Sequence, residues 1–217
     1  MKTLVLGTCR IRVPCKHIDD IVIFRGGATA SLGQTIQAVK VMKREDEIPK
    51  NLYSQVCAGK TKVFKSLENE IINFNEIDKV VLEVASLHNR YVNVDGRKIY
   101  VWKELCESCL TDTDTQSSML EKLMAFCDFF PNRKMLLVPF PVRGEREDRE
   151  MISETLKIFA CKNNYDYFDP LKVVKEYGES MCLKASRHGV VDHYTKFMNK
   201  LVRDRVSTFI NKDRRLL

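Results

Sequence analysis

A cysteine at the end of the first apolar segment is the residue best placed for nucleophilic chemistry. The segment TLVLG is followed directly by Thr8, Cys9 and Arg10. A cation beside a thiol lowers the thiol pKa and makes the thiolate available as a nucleophile. A cysteine at a strand end is equally compatible with a packed position in the core. The residues alone leave both interpretations of Cys9 open.

A second stretch, SRHGVVDHYTKFMNKLV, supplies the histidines and the carboxylate that a nucleophile needs. It places His188, Asp192 and His193 immediately before the last predicted helix. A histidine can act as the general base for a cysteine, and a carboxylate can orient its ring. Such sites are defined by geometry and not by chain order, so a cysteine near the start can pair with a late histidine. The spacing does not decide between His193 and His188 as the base.

Two further loops carry groups that could contact a substrate. FRGGATASLG contains Gly26 and Gly27, whose backbone amides can line an anion or oxyanion site. EVASLHNRY places several polar residues just after an apolar segment, namely Glu83, Ser86, His88, Asn89 and Arg90. A plain strand-to-helix turn and an ordinary surface loop are the alternative interpretations of these two stretches.

The elements that must position these loops alternate along the chain. Strands are predicted at TLVLG, DIVIFRGG, DKVVLEVAS, KMLLVPFP and residues 165–168, and helices at SLGQTIQAVKVMK, DTQSSMLEKLMAFCDFFP, EREDREMISETLKIFACKN and residues 194–210. This alternation predicts a parallel sheet with helices on both faces, a three-layer α/β/α sandwich. No repeat or linker divides the sequence, so one domain is expected over residues 1–217. In such sheets, reactive groups collect at the carboxyl ends of the strands.

Several local signals define the ends of these elements. Ser31 is predicted to cap the helix that follows the second strand, and Asp114 or Ser117 to cap the helix that ends before Pro131. The Asp95-Gly96 pair between alternating residues predicts a two-residue hairpin. The residues after the cysteine, RIRVPCKHIDD, give little sign of a long helix.

Composition and charge argue against several classes of function. No apolar run approaches the roughly 18 residues of a membrane span, and the start lacks the pattern of a signal peptide. We therefore expect a cytoplasmic protein whose eight cysteines are reduced. Cys106 and Cys109 form a Cys-x-x-Cys without the second pair of a zinc site, so no metal is expected. The net charge is +7, but the basic residues are not interleaved with aromatic residues as they are in a nucleic-acid-binding groove. No nucleic-acid partner is therefore expected.

The order of these blocks resembles the SGNH/GDSL hydrolase superfamily over most of the chain. Gly7-Thr8-Cys9 takes the place of the family's Gly-Asp-Ser, and DHYTKFMNKLV looks like its closing histidine-and-helix block. Gly27 falls where the second-block oxyanion glycine lies. The resemblance implies a flavodoxin-like, mainly parallel sheet with Cys9 as nucleophile and His193 as base. Cysteine also replaces serine in a related group of polysaccharide-biosynthesis acyltransferase-like proteins that begin with Gly-x-Cys.

The sequence departs from the family pattern at two blocks. The Gly-x-Asn-Asp motif is absent, which leaves Ser86, His88 or Asn89 as the side-chain oxyanion donor. Val190 stands where the aspartate of the family's Asp-x-x-His would be. The orienting carboxylate would then be Asp192 or, as a second candidate, Glu83; these candidates, with Cys9, His193, His188 and Gly27, complete the expected site.

The resemblance implies an acyl-transfer enzyme, either an esterase or an O-acyltransferase, that acts on a carbohydrate or related ester. Arg10 or Arg143 would hold an anionic group of the donor or acceptor. No cofactor is required, and acetyl-coenzyme A would be the acyl donor of a transferase. The expected partner is a small-molecule or glycan ester, with no membrane involved. The alternative is a catalytically silent domain of the same fold that binds a glycan or a protein, which the two departures favour.

Overall fold

The structure, a computed structural model, describes residues 2–23, 29–56, 73–101, 108–141, 146–185 and 192–212, with only the backbone of Ile23, Ser54, Ala185 and Asp192. The strands are β1 (Lys2–Leu6), β2 (Ile21–Ile23), β3 (Ile77–Val84), β4 (His88–Val94), β5 (Arg97–Tyr100), β6 (Leu110–Thr113), β7 (Lys134–Pro139), β8 (Asp166–Tyr167), β9 (Leu183–Ala185) and β10 (Asp192–Tyr194). The helices are α1 (Cys9–Cys15), α2 (Leu32–Met42), α3 (Tyr53–Val56), α4 (Gln116–Asp128), α5 (Glu147–Asn163), α6 (Pro170–Tyr177), α7 (Glu179–Cys182) and α8 (Lys196–Asn211). Short 3₁₀ turns cover Lys50–Leu52 and Phe74–Glu76.

The central sheet is parallel throughout, in the order β2-β1-β3-β7-β8. In chain order these strands read 2-1-3-4-5, which is the order of flavodoxin-like sheets. The registers Val5↔Val81 and Val81↔Leu136 align the three middle strands. The predicted α/β fold with a mainly parallel sheet flanked by helices is confirmed.

Successive residues of the middle strands face opposite sides of the sheet, because side chains alternate along a strand. Leu4, Leu82 and Leu137 pack in a cluster with residues of α2, α4 and α5. Val5 and Val81 pack in a second cluster with residues of α1, α6 and α8. Burial on both faces explains why these strands read as nearly continuous apolar runs.

A buried lysine links the central sheet to the last helix. Lys79 of β3 is 2% exposed, and its Nζ donates to the carbonyls of Phe209 (2.8 Å) and Ile210 (2.9 Å). These carbonyls belong to the last turn of α8, where the final carbonyls of a helix have no intrahelical donors. A cation at this end also interacts favourably with the helix dipole. Within the described ranges, no helix is long and apolar enough to span a bilayer.

Two smaller antiparallel sheets flank the central one. The order β5-β4-β6 includes the predicted hairpin at Asp95 (φ 49°) and Gly96 (φ 77°), which is confirmed. The sheet docks on α2 through Gln37, whose side-chain amide donates to the Tyr100 carbonyl (3.0 Å) and whose oxygen accepts from the Tyr100 N–H (2.7 Å). The other sheet is the ribbon β9–β10. Neither β6 nor this ribbon was expected from the sequence.

Helix starts follow the cap chemistry with one difference. Ser31 caps α2 in a reciprocal capping box with Gln34, as expected. The cap of α4 is Thr115, and the prediction of Asp114 or Ser117 was wrong. Asp114 is unavailable because its carboxylate binds Asn89, Ser118 and Lys122.

A short helix, α1, starts at the candidate nucleophile, in a stretch whose residues show little helical pattern. Its seven residues include Pro14. Proline lacks the amide that would bond to the carbonyl four residues earlier, and it therefore favours a short helix.

Candidate active site

The turn after β1 presents Cys9 at the carboxyl edge of the central sheet. Gly7 has φ +147°, and a Cβ there would lie 2.6 Å from the Cβ of Glu83 and 2.8 Å from Cγ2 of Ile11. The turn therefore needs glycine for both its conformation and its close approach to β3. Thr8 then caps α1, since its Oγ1 accepts from the Arg10 N–H (3.3 Å). Cys9 is the first residue of this helix.

The ribbon β9–β10 places His193 opposite this turn. Tyr194 is 3% exposed and anchors the ribbon in the α8 side of the core. His193 precedes it in the strand and projects to the other side. The ribbon is held at its end by Thr195, whose N–H donates to the Cys182 carbonyl (3.0 Å). The result is a distance of 3.8 Å between the Sγ of Cys9 and the Nδ1 of His193.

This pair has the geometry of a nucleophile and its base, because the ring nitrogen lies within hydrogen-bonding distance of the sulfur. Burial raises the pKa of the Cys9 thiol above 9.0, and the charge of Glu83 acts in the same direction. The pKa is lowered by the charge of Arg10, by the amide of Cys9 and by the charge of Arg12, but their combined effect is smaller than that of burial and Glu83. At neutral pH Cys9 is therefore a thiol, and its activation requires a base that takes the proton during attack.

Glu83 contacts the nucleophile turn. Its Oε2 accepts from the Thr8 N–H (2.6 Å) and from the Thr8 Oγ1 hydroxyl (2.6 Å). The side chain is 1% exposed, and burial raises the pKa of its carboxyl, while the Thr8 hydrogen bonds and the charges of Arg10 and Arg149 lower it. The sequence analysis considered Glu83 as the carboxylate that orients the histidine; the hydrogen bonds described for it go to Thr8.

Two arginines pack around Phe140, which follows β7 at the same edge of the sheet. The guanidinium carbon of Arg10 lies 3.6 Å from the Phe140 ring centroid, and that of Arg149 lies 5.2 Å from it. Arg10 is 4% exposed, so most of its surface is covered by protein. Arg149 also donates from Nη1 to the Ala85 carbonyl after β3. Both cations therefore stabilise the loops that follow β3 and β7.

The polar residues after β3 form hydrogen bonds within the fold. Asn89 is fully buried, and its amide group donates to the Leu87 carbonyl (3.1 Å) and to Asp114 (2.7 Å), while its oxygen accepts from the Gly33 N–H (3.1 Å). Both amide hydrogens are thus used inside the fold. Ser86 is half-buried, with its Oγ accepting from the His88 N–H (3.0 Å).

His88 lies on the surface, on the β4–β6 pair. Its Nδ1 is 3.0 Å from the Thr113 hydroxyl across the β4–β6 pair. The side chain is exposed.

Several predicted site residues lie outside the described residues. These are Gly26, Gly27, Arg143 and His188. For Asp192 the structure describes only the backbone, which pairs with Ala185 in the ribbon. Among the described side chains, no group of three or more His, Cys, Asp and Glu is placed to hold a metal ion.

Sequence reasoning did not single out Thr8 or Arg149 for the site. Thr8 carries a recognisable signal, since a threonine directly before a helix is a preferred cap. Arg149 lies in a strongly charged stretch of the sequence, EREDRE, in which nothing local distinguishes one arginine from another.

Comparisons with known proteins find similarity among solved structures. No protein-family model matches the chain, and no curated protein matches it. The chain is similar to an acetyl xylan esterase from the rumen bacterium Butyrivibrio proteoclasticus, with 10% sequence identity and a TM-score of 0.45. The alignment covers 100% of this chain and 65% of the esterase, so the chain spans about two thirds of that protein's length.

Proposed function

We propose that the chain is an acyl-transfer enzyme, an esterase or an O-acyltransferase, that works through Cys9 and His193. The observation that carries this proposal is the 3.8 Å distance between the Cys9 sulfur and the His193 Nδ1. The pair lies at the carboxyl edge of a parallel sheet, where α/β enzymes bind their ligands. The resemblance to SGNH/GDSL hydrolases extends the proposal to a carbohydrate or related ester as substrate.

In the first half-reaction the ester carbon reacts with the Cys9 sulfur. As the S–C bond forms, His193 Nδ1 takes the thiol proton, and the carbonyl oxygen becomes an oxyanion. The Cys9 amide is a donor for this oxyanion, since the Thr8 amide is already bound to Glu83. When the oxyanion collapses, the C–O bond to the alcohol breaks, and His193 returns the proton to the leaving oxygen. The product is a thioester on Cys9.

In the second half-reaction an acceptor O–H attacks the thioester. His193 takes its proton while the new C–O bond forms, and the C–S bond breaks as the tetrahedral species collapses. The sulfur then recovers the proton from His193. Water as acceptor makes the protein an esterase, and a sugar hydroxyl makes it an O-acyltransferase. With acetyl-coenzyme A as the proposed donor of the transferase, the bond broken in the first half-reaction is the C–S bond to coenzyme A, and His193 returns the proton to the coenzyme A sulfur.

A panel of acyl donors tests this proposal. Acetylated sugars, 4-nitrophenyl acetate and acetyl-coenzyme A are incubated with the wild type, Cys9→Ala and His193→Ala, and intact mass is recorded at short times. We expect one acetyl group on the wild type, located on Cys9 by peptide mapping. Removal of the base should slow acylation by about 10²–10⁴-fold, the usual contribution of general base catalysis.

Cys161→Ala is the matched control, because Cys161 is an exposed thiol on α5, remote in sequence from both members of the pair. It should acylate at the wild-type rate. Turnover that persists in Cys9→Ala would contradict the covalent mechanism. Absence of acylation with every donor, together with thermal stabilisation by a glycan, would favour the silent binding domain instead. A thermal shift with coenzyme A separates a transferase from an esterase.

A further inference from the structure

One buried carboxylate, that of Glu83, forms hydrogen bonds with the turn that carries Cys9. Glu83 Oε2 receives two hydrogen bonds from Thr8, one from its amide and one from its hydroxyl, both 2.6 Å long. Both distances lie at or below the short end of the usual range for protein hydrogen bonds. Thr8 is 6% exposed and Glu83 is 1% exposed, so water competes little for either group.

Thr8 in turn fixes the first turn of α1 on both sides of Cys9. Its Oγ1 accepts from the Arg10 N–H (3.3 Å), and its carbonyl accepts from the Arg12 N–H (3.2 Å). On the other side, the Gly7 carbonyl accepts from the Thr29 N–H (3.2 Å). Cys9 lies between these hydrogen-bonded residues, which therefore fix its position.

We infer that Glu83 is a positioning residue for Cys9, which it fixes through its two hydrogen bonds to Thr8. The catalytic meaning of this assignment rests on the proposed function. Glu83 does not touch the reacting atoms. It acts by holding the Cys9 sulfur near His193 Nδ1, and by occupying the Thr8 amide, which leaves the Cys9 amide as the oxyanion donor proposed for this turn.

Charged and titratable groups face Glu83 from each element packed around it. They are Arg10, Cys9 and Cys15 on α1, Arg149 on α5 and Tyr194 on β10. The carboxylate disfavours a negative charge on the Cys9 sulfur, and Arg10 favours one. Loss of the carboxylate charge should therefore lower the thiol pKa, whereas loss of the Thr8 hydroxyl should displace the turn.

The test compares Thr8→Val, Thr8→Ser and Glu83→Gln with the wild type. Thr8→Val replaces the hydroxyl by a methyl group of similar size, Thr8→Ser retains the hydroxyl, and Glu83→Gln retains an acceptor oxygen without the charge. The matched control is Thr3→Val. Thr3 lies on β1 with 1% exposure, and within the described residues its hydroxyl has no hydrogen-bond partner.

Two measurements are made on each protein: kcat and KM with 4-nitrophenyl acetate, and the pH profile of Cys9 alkylation by iodoacetamide. Thr8→Val should lower kcat about 100-fold with KM within about twofold, the loss expected from a small displacement of a reacting group. Its alkylation midpoint should fall towards that of an exposed thiol as the turn opens. Thr8→Ser should restore kcat, and Thr3→Val should change neither quantity. Glu83→Gln should shift the alkylation midpoint to lower pH.

Wild-type kcat and an unchanged alkylation profile in Thr8→Val overturn the inference, as does an equal loss of kcat in the Thr3→Val control. A kcat of Thr8→Ser as low as that of Thr8→Val also overturns it, because the hydroxyl bond to Glu83 would then not matter. The alkylation profiles do not need turnover, so they separate the two proposals. If no ester is turned over by the wild type, the proposed function fails, and a lowered midpoint in Thr8→Val still supports the positioning of Cys9 by Glu83.

Discussion

Gly7→Ala is the substitution for which the structure predicts the largest effect at the candidate site. The new Cβ would lie 2.6 Å from Glu83 Cβ and 2.8 Å from Ile11 Cγ2, whereas carbon atoms in contact are about 3.5–4.0 Å apart. Both neighbours are 1% exposed and have little room to move. Overpacking of this kind costs about 1–3 kcal/mol. The φ of +147° adds about 1–3 kcal/mol of backbone strain for a residue with a side chain.

The sum, about 2–6 kcal/mol, is large beside the usual total stability of about 5–15 kcal/mol. Urea unfolding followed by circular dichroism measures it directly. Gly96→Ala is the matched control, because Gly96 has φ +77° and no heavy atom lies within 4 Å of the position that a Cβ would take there. Gly96→Ala introduces the backbone strain of a positive φ but no steric clash. Gly7→Ala should therefore be less stable than Gly96→Ala by about 1–3 kcal/mol, the cost of overpacking.

Equal losses of stability in the two variants would refute the reasoning, since the close approach of the turn to β3 would then cost nothing. A second readout sharpens the test. The clash displaces Glu83, so Gly7→Ala should also lose acylation of Cys9, while Gly96→Ala should acylate at the wild-type rate.

Lys79, Glu83 and Cys9 give further predictions. Lys79→Met should lower the free energy of unfolding by about 1–3 kcal/mol, because the buried Ile210 carbonyl loses its donor, whereas the Phe209 carbonyl keeps the Lys212 N–H; hydrogen exchange should quicken in the last turn of α8, and unchanged stability would contradict the assignment. The raised pKa of Glu83 means that the folded state holds this proton to higher pH than the unfolded chain; the stability of the wild type relative to Glu83→Gln, measured in parallel urea series, should therefore fall as pH rises above the ordinary carboxyl pKa of 4.5, and a difference that stays constant or rises with pH would contradict this. Because the pKa of Cys9 is raised, iodoacetamide should label Cys9 with a midpoint at higher pH than a free cysteine in a short peptide, and a lower midpoint would indicate a preformed thiolate instead.

The parts of the fold that could be predicted from the sequence are those with a local cause. The Asp95-Gly96 turn, the Ser31 cap and the apolar middle strands each follow from residues within a few positions of one another. The parallel order of the sheet followed from the alternation of strands and helices. These features needed no knowledge of distant contacts.

The parts that could not be predicted depend on distant partners. The ribbon that carries His193 has strands of three residues, too short for a periodic pattern, and it forms because Leu183 and Tyr194 are buried beneath α8. Thr115 caps α4 because Asp114 is bound to Asn89. The partner of Glu83 lies 75 residues away at Thr8, and no spacing rule connects them.

The separation of 184 residues between Cys9 and His193 also bears on the order in which a ribosome delivers the site. Glu83, which holds the turn of Cys9, is synthesised about 110 residues before the histidine, or roughly 6–20 s earlier at ordinary translation rates. The strands β1 and β3 can pair during this interval. The thiol then has no base to take its proton, which limits its reactivity until the chain has been translated through the ribbon. A nascent chain stalled before the ribbon would therefore contain Cys9 and the turn that carries it, but not the proposed base, His193.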